Sequence, residues 1–209
     1  MKSGSTDWDR YYQQSPVTSR FSRPMIRRRF IAAFERFSKP NPVIVELGGA
    51  NSRVFDSVVE HMRPTEYHVV DNNRFGLDLL SRRVNRPDVV LHCADVQSLD
   101  LPVQADAVFS LGLIEHFDPS GTRNAILAHF RLLKAGGIAI ISFPTSTWLY
   151  RATRGVAELA RKWTFPDERA LQPREVLGVT QSQGQLLYQH LIWPIFLTQT
   201  LIVVRKNAT

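Results

Sequence analysis

Hydrophobic positions follow two alternating patterns through the middle of this chain. Short unbroken runs rich in Val and Ile, typical of buried strands, alternate with segments in which apolar residues recur at helical spacing. The predicted strands cover residues 43–47, 67–71, 89–94, 107–111 and 138–143. The predicted helices between them lie near residues 53–62, 75–84 and 122–134. Strands buried on both faces and separated by helices indicate a parallel sheet in a doubly wound α/β fold.

The first 41 residues are predicted to form a separate N-terminal part. Residues 1–20 are polar and aromatic without clear periodicity and are interpreted as an arm. A basic amphipathic helix is predicted over residues 24–39, with Pro24 in its first turn and apolar residues at helical spacing. Those apolar residues are Ile26, Phe30, Phe34 and Phe37. We expect the apolar face of this helix to cover the core. Its arginines would then either face solvent or bind a membrane surface or phosphate.

Residues 42–209 are predicted to form the main domain, with an insertion at about 144–183. The insertion breaks the strand–helix alternation with helical stretches around 149–162 and 173–177, and it follows a central strand. It should therefore reach the carboxyl edge of the sheet, where such folds bind ligands. Residues 186–204 are largely apolar, but Gln189, His190 and Gln199, together with Pro194, favour a buried hairpin over a membrane-spanning helix.

Composition limits the compartment and the partners. The 209 residues suit one domain, and the formal charge of +7 favours an anionic partner such as phosphate, nucleic acid, acidic glycan or lipid headgroups, or a merely solvated basic surface. The single cysteine, Cys93, excludes an internal disulfide and a cysteine-based metal site. With no apolar secretory run at the N-terminus, a cytoplasmic location is expected.

The strongest motif is the small-residue turn that follows the first predicted strand, Val-Ile-Val-Glu46-Leu-Gly48-Gly49-Ala50-Asn-Ser52. Small residues let the backbone turn tightly and let a ligand approach closely. The run resembles the first motif of class I S-adenosylmethionine-dependent methyltransferases, and the chain is methyltransferase type 11-like. Ala50 and Ser52 stand where that family often has glycine. An NAD-binding Rossmann domain is the rival, but its G-x-G-x-x-G spacing is missing.

The resemblance continues over residues 43–144 and implies S-adenosylmethionine as cofactor. It implies that Asp71, followed by Asn72, binds the ribose hydroxyls, and that Asp95 and the amide of Val96 meet the adenine. Leu111 ends the segment that runs beneath the methionine part. Residues 132–137 resemble the helix–turn–strand signature of the family, with the glycines reversing the chain. For each acid, a helix N-cap or a solvated loop position is the alternative.

The same resemblance implies a Rossmann-like class I methyltransferase fold. It has a mostly parallel seven-stranded sheet, helices on both faces and an antiparallel C-terminal strand. In such a fold the cofactor already carries the activated methyl group, so the protein mainly aligns donor and acceptor.

His116, after the fourth predicted strand, is the candidate general base, because the ordinary pKa of histidine lies near neutrality. The alternative is a structural Glu115–His116 pair. The segment also resembles the E-x-x-E-H metal site of some ubiquinone-pathway and small-RNA methyltransferases. Gly112 replaces the first glutamate of that pattern, so no metal is predicted.

The insertion should supply the acceptor contacts, through Tyr150, Arg151, Arg154 and Trp163. The leading hypothesis is O-methylation of a small molecule, glycan or lipid-linked intermediate. This hypothesis is compatible with an anionic group on the acceptor and with peripheral contact of the protein with a membrane. Nucleic-acid methylation is favoured by charge but lacks an Asn/Asp-Pro-Pro-Tyr-type motif. The third hypothesis is a catalytically inactive binding protein of the same fold, which Ala50 and Ser52 make conceivable.

Overall fold

The computed structural model describes residues 6–13, 19–161, 163–192 and 198–208. Seven strands in this part of the chain form one sheet in the order β3-β2-β1-β4-β5-β7-β6. They are β1 (Val43–Leu47), β2 (Glu66–Asp71), β3 (Val89–Cys93), β4 (Ala105–Leu111), β5 (Leu133–Pro144), β6 (Gly184–Ile192) and β7 (Gln199–Lys206). β1 to β5 pair in parallel, and β7 runs antiparallel to both β5 and β6. The predicted fold class is confirmed.

Helices cover both faces of the sheet. They are α1 (Trp8–Gln13), α2 (Ser19–Phe37), α3 (Phe55–Met62), α4 (Arg74–Arg83), α5 (Pro119–Leu132), α6 (Trp148–Leu159) and α7 (Pro173–Thr180). One hydrophobic cluster joins α2, α3 and α4 to the sheet, with Phe30, Phe34 and Phe109 in mutual ring contact at 4.9 to 5.6 Å between centroids. The second cluster joins α5 and α7 to the other face. The sheet is therefore buried on both sides, as the unbroken apolar strands indicated.

Three local features differ from the sequence prediction. The predicted arm contains a short helix, α1. α2 begins at Ser19, so Pro24 lies inside the helix and not in its first turn. α5 begins three residues early, because Asp118 caps it by accepting from the Gly121 amide at 2.7 Å and Pro119 occupies the first helical position.

The glycines before the fifth predicted strand also have a different place. α5 ends at Leu132 and β5 starts at once at Leu133, so Gly136 and Gly137 lie within the strand and do not reverse the chain ahead of it. Gly136 has a φ of 76°, which favours glycine.

β6 and β7 pair as an antiparallel hairpin from Gly184 opposite Lys206 to Ile192 opposite Gln199, as predicted, but β6 is the edge strand and is only partly buried. Pro194, expected between the strands, lies outside the described residues. Among the described helices, none has the length and apolarity needed to cross a membrane. The proposed division of the chain at residue 41 stays a prediction.

Lys206, at the end of β7, contacts the end of α5. Its Nζ donates to the carbonyl oxygens of Phe130 and Leu133, both at 2.7 Å, and so binds two carbonyls where α5 ends and β5 begins. We expect Lys206→Met to lower the free energy of unfolding by about 1–2 kcal/mol in urea denaturation, because the two carbonyls lose a charged donor. The control Arg205→Met removes the same charge from an exposed neighbour and should cost less than about 0.5 kcal/mol. Equal losses in the two variants would contradict the capping role.

Candidate cofactor and acceptor site

The loop after β1 is packed so tightly that two of its positions require glycine. Gly48 has a φ of 72°, and a Cβ there would lie 2.9 Å from Cδ1 of Leu113. A Cβ on Gly49 would lie 2.7 Å from Cγ of Glu46. The Gly48 amide donates to the Val70 carbonyl at 2.8 Å, which joins the loop to the end of β2. The loop therefore presents its backbone, without side chains of its own at these two positions, at the carboxyl edge of the sheet.

Glu46 lies beneath this loop with only 5% of its surface exposed. Its Oε1 accepts from the Ser52 hydroxyl and its Oε2 from the Tyr67 hydroxyl, both at 2.7 Å. Burial raises the pKa of Glu46 to about 7, although the two hydrogen bonds act in the opposite direction. Both oxygens thus hold the loop to β2, and a direct contact of Glu46 with the cofactor stays a prediction.

Asp71 ends β2 beside the same loop. Its Oδ2 accepts from the Ala50 amide at 3.0 Å and its Oδ1 from the Asn73 amide at 2.8 Å. Burial raises the pKa of Asp71, and these amide hydrogen bonds limit the rise. Each carboxylate oxygen keeps a second lone-pair direction, so the group can still accept from a pair of vicinal hydroxyls. Asn72, the next predicted residue, is exposed.

The remaining predicted cofactor residues lie at the same edge. Asp95 follows β3, is exposed, and caps a short 3₁₀ turn by accepting from the Gln97 amide at 2.9 Å. Val96 is buried in that turn and Leu111 ends β4, half-buried. The structure therefore brings Asp71, Asp95 and the glycine loop to adjacent strand ends. The Asp95 side chain acts as a helix N-cap, which the sequence analysis gave as the alternative to a contact with adenine.

α1 covers this edge, which the sequence analysis missed. Asp9 Oδ1 accepts from the Asn73 side-chain amide at 2.6 Å. The Tyr12 ring lies over Gly76, where a Cβ would come within 2.8 Å of its Cε2. Burial and the nearby Asp71 carboxyl raise the pKa of Tyr12. The aromatic run at residues 8–12 within a polar arm is the signal that could have indicated a docked helix.

His116 lies after β4, in an aromatic enclosure. Its Nδ1 is 3.2 Å from Oδ1 of Asp167, and its ring centroid lies 4.9 Å from that of Trp8 and 5.6 Å from that of Phe165. Burial lowers the pKa of His116, and the Asp167 charge opposes this. Burial alone would raise the pKa of Asp167, but hydrogen bonds from Thr6 and the charge of His116 lower it. The pair thus favours an ionised Asp167 beside a neutral imidazole.

A group of carboxylates adjoins His116. Glu115 is buried, and within the described part of the chain its Oε2 has no hydrogen-bond partner. Burial and the nearby Glu168 raise the pKa of Glu115 well above its usual range. Ligand atoms of Glu115, His116 and Glu168 lie within 4.8 Å of one another, so this geometry could hold a metal ion. Against this, Glu168 accepts from Tyr150 and His116 already contacts Asp167. The absence of a metal therefore stays a prediction.

Three of the four predicted acceptor residues meet around Glu168. Tyr150 is fully buried and donates its hydroxyl to Glu168 Oε1, and Arg154 donates to the Glu168 carbonyl at 2.7 Å. The Arg154 guanidinium lies 5.2 Å from the Trp163 ring centroid. Arg151 is exposed on another face of α6 and does not join this group. Acceptor contact by these residues stays a prediction.

Comparison with known families agrees with this geometry. Residues 44–137, which carry the glycine loop, Asp71, Asp95 and His116, match the family model described as a methyltransferase domain. Residues 44–137 therefore belong to a methyltransferase domain. The predicted family, enzyme class and cofactor, S-adenosylmethionine, are confirmed for this domain. A comparison with curated protein sequences finds no match.

Solved structures share the fold of this methyltransferase. The N-methyltransferase NodS from Bradyrhizobium japonicum WM9, in complex with S-adenosylhomocysteine, has a TM-score of 0.69, 13% identity and 95% coverage of each chain. Magnesium protoporphyrin IX methyltransferase from Synechocystis PCC 6803 has a TM-score of 0.75 and 11% identity, covering 96% of this chain and 93% of its own. The 1,6-didemethyltoxoflavin-N1-methyltransferase of Burkholderia thailandensis has a TM-score of 0.72 and 14% identity, covering 96% and 86%. At these identities the likeness establishes the fold.

Because Glu46 is buried, we expect the free energy of unfolding of the protein to depend on pH. Because folding raises its pKa from 4.5 to about 7, the folded state favours the protonated carboxyl. This stabilisation is complete below the lower value and is lost as the pH rises through the higher one. Between about pH 5 and about pH 8, the unfolding free energy of the wild-type protein should fall on the order of 2 kcal/mol further than that of Glu46→Gln.

Urea denaturation across this pH range measures the difference. The control Glu60→Gln changes an exposed residue of α3 and should follow the wild-type curve. Parallel curves for wild type and Glu46→Gln would contradict the buried, titrating carboxyl.

Asp71→Asn should weaken S-adenosylmethionine binding by about tenfold or more, because one lost charge-assisted hydrogen bond contributes about 1.5–3 kcal/mol. Calorimetry with S-adenosylmethionine and S-adenosylhomocysteine measures the change, with thermal melting as the check on folding. Asp78→Asn, exposed on α4, is the matched control and should bind normally. Unchanged affinity in Asp71→Asn would refute the ribose assignment, and a wild-type protein that binds neither compound would contradict the cofactor.

Proposed function

We propose that this methyltransferase transfers the methyl group of S-adenosylmethionine to an oxygen atom of a small molecule, glycan or lipid-linked intermediate. The observation that carries the proposal is the His116–Asp167 pair at the acceptor side of the sheet edge. Hydroxyl acceptors need a base to remove their proton, whereas amines need mainly orientation. A buried imidazole held by a carboxylate suits the first task.

The protonation states of the pair support a base role for His116. Burial keeps its imidazole neutral near pH 7, and Asp167 accepts the hydrogen of Nδ1, which leaves the lone pair on Nε2. Among the described residues, Nε2 has no hydrogen-bond partner. When Nε2 takes a proton from the acceptor, the Asp167 charge stabilises the imidazolium that forms.

The cofactor would lie along the carboxyl edge of the sheet. Asp71 would accept the ribose hydroxyls, Asp95 would meet the adenine, and the backbone at residues 48–50 would approach the methionine part. The tight loop and the free lone pairs of Asp71 fit such a ligand. When bound, S-adenosylmethionine supplies an activated methyl group for in-line displacement. Trp8 and Tyr12 of α1 would exclude water from this edge.

The structural neighbours support a small molecule as the acceptor. NodS is named as an N-methyltransferase, and the other two are named for magnesium protoporphyrin IX and 1,6-didemethyltoxoflavin, both small molecules. Two of the three names specify nitrogen as the acceptor, so the choice of oxygen rests on the His116–Asp167 pair. A cytoplasmic location is part of the proposal and is supported by the single exposed cysteine, Cys93.

Transfer of a labelled methyl group tests the proposal. The protein is incubated with S-adenosylmethionine carrying a ¹³C methyl group and with separate aqueous and lipid extracts of cells. Carbon NMR of the products distinguishes methyl groups on oxygen, nitrogen and sulfur. An O-methyl product is expected, and an N-methyl product would contradict the proposed acceptor atom.

With the acceptor known, substitutions at the pair should separate chemistry from binding. We expect His116→Ala to lower kcat by about 100-fold or more, with S-adenosylmethionine affinity unchanged, because only the proton acceptor is lost. In Asp167→Asn, the missing charge lowers the pKa of His116 further, so the acidic limb of the kcat/KM profile should shift to lower pH. His61→Ala, at an exposed position of α3, is the control and should keep full activity. Full activity in His116→Ala would contradict the base role.

A further inference from the structure

α6 exposes three of its large apolar side chains to solvent. Trp148 and Val156 are each 69% exposed and Leu159 is 88% exposed. At 3.6 residues per turn, these positions and the exposed Ala152 fall within a sector of about 80° on the helix. The opposite side carries Tyr150, which is 1% exposed and binds Glu168. We call Trp148, Ala152, Val156 and Leu159 the α6 stripe.

Basic groups flank the α6 stripe. Arg151 is exposed beside Trp148, and the exposed Arg161 lies just beyond the last turn. Arg154 points inward and pairs with Glu158 at 2.6 Å, so that acid is already neutralised. The whole chain carries a formal charge of +7. An apolar stripe flanked by arginines complements a surface that is apolar inside and negatively charged at its rim.

We propose that the α6 stripe docks on the interfacial region of a lipid bilayer with anionic headgroups. A helix of 12 residues is about 18 Å long, too short to span a hydrocarbon core of about 30 Å, so it lies along the interface. Trp and Arg are the residues favoured at the headgroup level, and an apolar face with basic flanks is typical of interfacial helices.

A second copy of the chain suits this surface less well. One stripe with three large side chains is far smaller than the roughly 800 Å² that each partner buries in a stable complex. Pairing two copies of α6 would also bring the Arg151 and Arg161 charges of both chains together. A bilayer meets neither difficulty, because its apolar depth is continuous and its headgroups are anionic.

The position of α6 gives docking a consequence for the proposed reaction. The inner face of the helix reaches Glu168, which follows Asp167 in the chain, and Asp167 holds His116. A protein docked through the α6 stripe would hold the acceptor side of its site next to the lipid surface. Docking itself requires no methyl transfer, so it is tested without cofactor or acceptor.

Flotation with vesicles tests the docking. The full chain is mixed with vesicles of phosphatidylcholine alone or with added phosphatidylglycerol, and the bound fraction is measured at two salt concentrations. We expect binding to the anionic vesicles, and a loss of about tenfold or more in the double variant Trp148→Ser, Leu159→Ser. The double variant Arg151→Gln, Arg161→Gln should bind more weakly and show less dependence on salt. Because all four positions are exposed, melting temperatures should not change.

Two controls make the result specific to α6. Leu186→Ser removes another exposed apolar side chain, on β6, and Arg27→Gln with Arg28→Gln removes two exposed charges from α2. Both should bind anionic vesicles nearly as the wild type does. The proposal is overturned if the wild type binds neither vesicle or if the stripe variant binds equally well. It is also overturned if the stripe variant melts several degrees lower, or if it converts a wild-type dimer to a monomer.

Discussion

The site depends on the fixed position of the loop between β1 and α3, which two acidic side chains hold in place. Glu46 holds the loop from below through Ser52, and Asp71 holds it from the side through the Ala50 amide. A carboxyl group buried as deeply as Glu46 is costly unless its oxygens are satisfied, and the hydroxyls of Ser52 and Tyr67 satisfy both. Ser52, which departs from the glycine that the family often has there, is therefore part of this support.

α1 connects the two halves of the site, although it has only six residues. The segment that leads into it contacts Asp167 through Thr6, and Trp8 packs on His116. Farther along, Asp9 binds Asn73 and Tyr12 covers Gly76. One short segment therefore touches both the start of α4 and the His116–Asp167 pair. A displacement of α1 would break both sets of contacts at once.

The sequence predicted the features that depend on local pattern. Strand and helix periods are visible in short windows, and the acids at the ends of β2 and β3 follow from the order of elements, so Asp71 and Asp95 could be placed at one edge. Contacts between distant positions could not be predicted. Thr6 and Asp167 are separated by 161 positions, and no local pattern indicates that they meet. α1 was missed for the same reason, since so short a helix is stabilised mainly by its docking.

α6 shows a further limit of pattern reasoning. Hydrophobic periodicity reveals that a helix has an apolar face, but it does not show toward what that face is turned. In α2 the apolar face contributes Phe30 and Phe34 to the core, whereas in α6 the polar face turns inward and Tyr150 and Arg154 bind Glu168. α6 thus forms its inner contacts largely from hydrogen bonds and leaves Trp148, Val156 and Leu159 outside. A single exposed leucine is common on folded proteins, but contiguous exposed apolar residues mark interaction surfaces, which is why the grouping of Trp148, Val156 and Leu159 on one side of α6 carries the argument.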